Sequence, residues 1–138
     1  MATQTMVRRS GSTLLRRAFQ VDGLVSAIFG LAFIAGAEPL GTFLGLDNTL
    51  ELELFGIAVL VYGAALLWQV SREYLERRAA FIIPMLNFTW TIGSYVLIFT
   101  NWLPLTTEGK WFVGIQAEVI GIVGIVQLYA AWKANRIA

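Results

Sequence analysis

Apolar residues gather into four long blocks along the chain, Phe19–Ala37, Leu52–Val70, Ala80–Thr100 and Trp111–Trp132, with polar residues between them. Each block has the roughly 20 residues that a helix rising about 1.5 Å per residue needs to cross a hydrocarbon core of about 30 Å. The pattern predicts an all-α polytopic membrane protein, with four transmembrane helices in an up-down bundle. Residues 1–18 then form a basic cytoplasmic tail, 19–132 the bundle, and 133–138 a second cytoplasmic tail.

The third block is not uniformly apolar. Asn87, Thr91 and Ser94 recur at helical spacing, so they share one face. A helix surrounded by lipid has no use for such a stripe, and the face is expected to look at other helices. Pro84, three residues before Asn87, frees a backbone carbonyl and is expected to kink the helix beside a small pocket. Asp22 and Ser26 stand near the start of the first block, at about the level of Asn87. Gly23 and Gly30 give that block a small-residue face that permits close helix contact, and Gly114, Gly121 and Gly124 do the same for the fourth.

Breaks between blocks follow local chemistry. Glu38-Pro39 is expected to end the first helix, because proline cannot continue the hydrogen-bond ladder. Leu40–Leu46 is too short to span and reads as a short interfacial helix or turn. Asn48, with Glu51 three residues on, reads as the N-cap of the second helix. Ser71–Ala79 is a charged turn, read as a helical extension with Glu73 and Arg77 paired at i, i+4. Trp68, Trp102, Trp111, Tyr129 and Trp132 mark the two water boundaries. Phe55–Gln69 and Val113–Gln127 align with Gly56 on Gly114, Gly63 on Gly121 and Gln69 on Gln127, a faint repeat of two hairpins.

Composition agrees with a membrane protein: 57% of the 138 residues are hydrophobic and 14% charged, against about 45–50% and about 25% in soluble domains. Charge sets the orientation. Nine of the ten basic residues lie in the N-terminal tail, the Ser71–Ala79 loop and the C-terminal tail, and Lys110 alone lies on the other side. The positive-inside rule then places both termini in the cytoplasm. A cleaved signal peptide is the rival reading of the first block, because Ala35-Gly36-Ala37 resembles a cleavage site, although the apolar stretch is long for that purpose.

The chain has no cysteine and no histidine, which removes disulfides, thiol nucleophiles, Fe–S clusters, bis-His haem and Ser–His or Cys–His catalysis. Four-helix cytochromes b, vitamin K epoxide reductase-like enzymes and claudin-like proteins are disfavoured on that ground. Glu118 is the one carboxyl deep in the fourth block, about 10 Å below the boundary marked by Trp111. A charge at that depth costs several kcal/mol unless paired or protonated, so Glu118 is expected to turn inward near Thr91 and Ser94 as a neutral acid. Phe88, Trp90, Tyr95 and Phe99, with Tyr62 opposite, could line a site for an apolar ligand.

Gly36-Ala37-Glu38-Pro39-Leu40, Phe43-Leu44-Gly45-Leu46 and Glu51-Leu52-Glu53-Leu54-Phe55-Gly56 resemble a broad set of uncharacterised small four-helix bacterial integral membrane proteins. The resemblance covers mainly the first half. It implies a four-helix fold in the bacterial inner membrane, and no activity or site residues.

The functional expectation is a non-catalytic accessory or scaffold protein acting through lateral helix contacts, with other membrane subunits or with copies of itself. The alternative is a small transporter or channel component using Glu118 and the Asn87–Thr91–Ser94 stripe. A third is a binder of an apolar ligand such as a quinone, pigment or lipid. No catalytic constellation, metal cluster or nucleic-acid surface is visible, and no cofactor is required.

Overall fold

The computed structural model describes residues 6–7, 13–73 and 75–137. Among these residues the fold is helical apart from a two-residue ladder, with β1 (Met6–Val7), α1 (Thr13–Ala35), α2 (Ala37–Leu44), α3 (Thr49–Ser71), β2 (Leu75–Glu76), α4 (Arg77–Thr100) and α5 (Thr107–Ile137) in order. Four of these helices, α1, α3, α4 and α5, are long and apolar enough to span a membrane. Their order along the chain matches the four blocks.

The ends moved. α1 begins at Thr13, not Phe19, so Arg16 and Arg17 belong to the helix and not to a tail. α5 runs from Thr107 to Ile137, which absorbs Lys133 into the helix. Arg8 and Arg9 lie outside the described residues. The first break comes at Gly36, and Pro39 sits in the first turn of α2. A proline there costs nothing, since the first-turn amides have no helical acceptor. The Ser71–Ala79 stretch is not a helical extension: Leu75 and Glu76 pair antiparallel with Val7 and Met6, and the ion pair of this turn is Arg72–Glu76 at 3.5 Å, not Glu73–Arg77.

Asn48 caps α3, its side chain accepting from the Glu51 amide at 3.2 Å. The other end of α3 is capped from a distance. Arg16 donates to the carbonyls of Val70 and Arg72 at 2.8 Å and of Glu73 at 2.6 Å. These carbonyls have no amide partner in the helix, and a cation there also meets the negative end of the helix dipole.

α1 and α3 approach backbone to backbone. A Cβ placed on Gly30 would lie 2.6 Å from the Gly56 carbonyl oxygen and 2.6 Å from the Leu60 amide nitrogen. On Gly63 it would lie 2.6 Å from the Gly23 carbonyl oxygen and 2.7 Å from the Ala27 nitrogen. The seam therefore needs Gly23 and Gly30 from one helix and Gly56 and Gly63 from the other. α4 and α5 form the second close pair, and α1 also lies along α5. α3 meets α4 through long side chains: Phe55 stacks on Trp90 with centroids 5.4 Å apart, and Tyr62 reaches Asn87.

Leu15, Phe19, Leu66, Leu75, Ala80, Ala130, Ala131 and Ala134 form one apolar cluster at the end that carries Arg16. Phe33, Ala37, Leu44 and Leu52 form another at the opposite end. At that opposite end the loops are stitched together. The Thr106 hydroxyl accepts from the Gly109 amide at 2.9 Å, which caps α5, and donates to the Phe43 carbonyl at 2.6 Å. Gly45 closes α2 at φ +86°, with the Pro104 carbonyl oxygen 2.5 Å from where a Cβ would be.

Candidate functional site

Between the two apolar clusters the bundle buries a polar node to which all four long helices contribute. Its centre is Asp22 of α1, which is 6% exposed. Asp22 Oδ2 accepts from Asn87 Nδ2 of α4 at 2.9 Å, from Gln127 Nε2 of α5 at 2.8 Å and from the Tyr62 hydroxyl of α3 at 3.1 Å. Asp22 Oδ1 is 3.3 Å from the donating Ser26 hydroxyl, one turn along α1. Asn87 also donates to Gln127 Oε1 at 2.7 Å, and its own Oδ1 is 3.1 Å from the Tyr62 hydroxyl. A buried carboxylate is costly unless its lone pairs are filled, and here four side chains fill them.

The sequence placed Asp22, Ser26 and Asn87 at one level, and the structure brings them together. Gln127, which the sequence marks only through the faint repeat, is fully buried in the node. Its signal was available in phase. Ala117, Gly121, Gly124, Gln127, Ala131 and Ala134 follow steps of three and four, and this small-residue stripe is the inner face of α5. Tyr62 belongs to the node and not to an aromatic ligand wall.

The α4 stripe does face inward, and its members have separate partners. Thr91 donates to the Asn87 carbonyl at 3.0 Å and lies 3.1 Å from the Ala117 carbonyl. Ser94 donates to the Trp90 carbonyl at 2.8 Å and accepts from Gln116 Nε2 at 3.1 Å. Thr91 and Ser94 thus knit α4 to α5 through an internally satisfied contact. Pro84 is buried within a continuous α4, and the space beside Asn87 is taken by Asp22, Gln127 and Tyr62.

Glu118 departs from expectation. It is exposed, and Ala117 takes the inward position beside Thr91. One residue is a turn of about 100° around a helix, enough to move a side chain from the seam to the outside. Glu118 accepts from the Tyr95 hydroxyl. The pair lies in an open groove of about 480 Å³ between α4 and α5, lined also by Ile98, Phe99, Trp111, Gly114 and Ile115. Lys110 borders the groove toward the loop and donates to Asn101 Oδ1 at 2.7 Å.

The α5 glycines grade in importance. A Cβ on Gly124 would sit 3.0 Å from the Phe88 ring, one on Gly121 3.4 Å from Thr91, and one on Gly114 3.6 Å from Ile98. Of these three only Gly124 is tight, and against a side chain, whereas the α1–α3 seam is tight against backbone. The aromatics do not converge on one site either. Phe88 packs on Gly124, Trp90 stacks on Phe55 and donates to Gln116 at 2.8 Å, and Tyr95 stacks on Phe99 in the groove.

Among the described residues no group of three or more His, Cys, Asp or Glu side chains is placed to hold a metal ion. No family model, no curated protein and no solved structure matches the chain.

Proposed function

We propose that this protein is a non-catalytic accessory subunit of a membrane assembly, acting through lateral contact of the α4–α5 face with a neighbour. The observation that carries the reading is Glu118, a carboxyl turned away from the bundle at membrane depth and set in an open groove. The side chains of the Asp22 node satisfy one another inside the bundle, which suits a rigid scaffold. A polar group on a surface bathed in lipid is costly unless something covers it. A transport path through Glu118 and the α4 stripe is less favoured, because Glu118 is exposed on the outside while Asn87 and Ser94 of that stripe are buried.

The proposed setting is a bacterial inner membrane with both termini in the cytoplasm, supported by the basic end that carries Arg16, Arg72, Arg77 and Arg78. With no native thiol, single cysteines report sidedness directly. Cysteine at Asp47 or Glu108 is expected to react with an impermeant maleimide on intact cells, and cysteine at Glu73 only after lysis. The opposite pattern would reverse the orientation.

Lateral contact is tested by a photo-cross-linking residue in native membranes. Ile115 and Ile122, 60% and 58% exposed on α5, should give an adduct of one discrete mass, and Val61, 62% exposed on α3, should give none. Gly114→Trp fills the groove where there is room for a side chain and should remove the Ile115 adduct. Equal yields from Val61 and Ile115, or no adduct at all, would overturn the accessory reading.

A further inference from the structure

Resting on that lateral reading, we infer that the α4–α5 groove receives a transmembrane helix of a different chain, presenting a lysine or arginine at the level of Glu118. Charge and depth point to this partner. Glu118 has Tyr95 as its partner in the groove, and a phenol supplies a hydrogen bond but no counter-charge. The sequence has no Lys or Arg between Arg17 and Arg72, between Arg78 and Lys110, or between Lys110 and Lys133. Among the described residues every cation therefore stands at an end of the bundle. Lys110 is the nearest along α5, eight residues or about 12 Å up the helix, and it is bonded to Asn101.

A second copy does not supply the missing charge. Copies inserted in the same orientation and related about the membrane normal bring equal depths together, so Glu118 would meet Glu118 and not Lys110. An acyl chain fills the apolar walls but offers the carboxylate no donor, and a headgroup phosphate stops at the level of Lys110. A basic side chain on a neighbouring helix satisfies both parts of the site. Its methylene stem lies along Phe99, Ile98 and Ile115, and its cationic tip reaches Glu118 beside the Tyr95 ring. Intramembrane ionisable groups pair with one another for this reason.

The test uses the full chain in phosphatidylcholine vesicles, with a donor dye on cysteine at Glu108 and acceptor-labelled Leu-Ala helical peptides. The peptides are identical except for Lys, Gln or Leu at the depth of Glu118. Saturable energy transfer should be at least about ten-fold tighter for the Lys peptide than for the Leu peptide. Glu118→Gln should abolish that preference while leaving the thermal melt unchanged. Glu118→Lys should instead prefer a peptide carrying Glu, and this charge reversal guards against a folding artefact. Equal binding of the Lys and Leu peptides would overturn the inference, as would acceptor-independent self-association through this face or retention of a tightly held lipid that blocks every peptide. If the Ile115 cross-link persists in native membranes while the Lys preference is absent, the lateral reading stands and the cationic partner falls.

Discussion

Gly30→Leu leaves no stable bundle. The substitution puts a branched side chain where even a Cβ would lie 2.6 Å from the Gly56 carbonyl oxygen and 2.9 Å from Leu60 Cα. Both obstacles are backbone, so no rotamer change relieves them, and α1 has to move away from α3. Overpacking against movable side chains typically costs about 1–3 kcal/mol, so a clash with two helix backbones is expected to exceed about 3 kcal/mol. Separation also removes the close van der Waals packing that holds helices together where lipid supplies no hydrophobic drive. Gly93 is the control. Nothing lies within 4 Å of a Cβ there, so Gly93→Leu should change stability by no more than about 0.5 kcal/mol. Thermal unfolding and monodispersity in mild detergent read both variants. A Gly30→Leu protein that melts with the wild type would mean that α1 and α3 do not touch through this seam.

Asp22→Ala should be the most damaging single change to a polar residue. It strips the acceptor from Asn87 Nδ2, Gln127 Nε2 and the Tyr62 hydroxyl together, in the middle of the bundle. Interhelical hydrogen bonds in membranes average about 0.6 kcal/mol, so three set a floor near ~2 kcal/mol. Asn87 Nδ2 and the Tyr62 hydroxyl keep a second acceptor within the node and Gln127 Nε2 does not, so one unsatisfied donor, at about 1–3 kcal/mol, raises the expected loss to roughly 3–5 kcal/mol. Asp22→Asn should cost much less, because its carbonyl oxygen can take the place of Oδ2 and its amide can face Ser26. A double-mutant cycle of Asp22→Ala with Asn87→Ala should show coupling of about 0.5–3 kcal/mol. Additive losses would mean that the two side chains do not share a network.

The two substitutions probe features of different visibility in the chain. Gly23 and Gly30 announced a contact face by spacing, but Gly56 and Gly63, their partners across the seam, appeared only as members of a faint repeat. The Asn87–Thr91–Ser94 stripe was visible as an inward face because polar residues stand out in an apolar helix. The inner face of α5 was not, since alanines and glycines carry little contrast against valine and isoleucine. Glu118 drew attention for the opposite reason, and its prominence put the face about 100° out of phase.

Arg16 shows the same division. Its charge fits the basic end of the chain, but its task of closing the α3 carbonyls 54 to 57 residues away has no local signature. The sequence by itself determined the number and order of the long apolar helices, the N-cap at Asn48 and the basic end of the bundle. These depend on hydropathy, local backbone chemistry and charge, which are properties of residues one at a time or a few positions apart. Only the tertiary structure decided that Asp22, Tyr62, Asn87 and Gln127 form one node and that Glu118 faces outward. Helix rotation is set by which surfaces pack closest, and that is a property of pairs of helices.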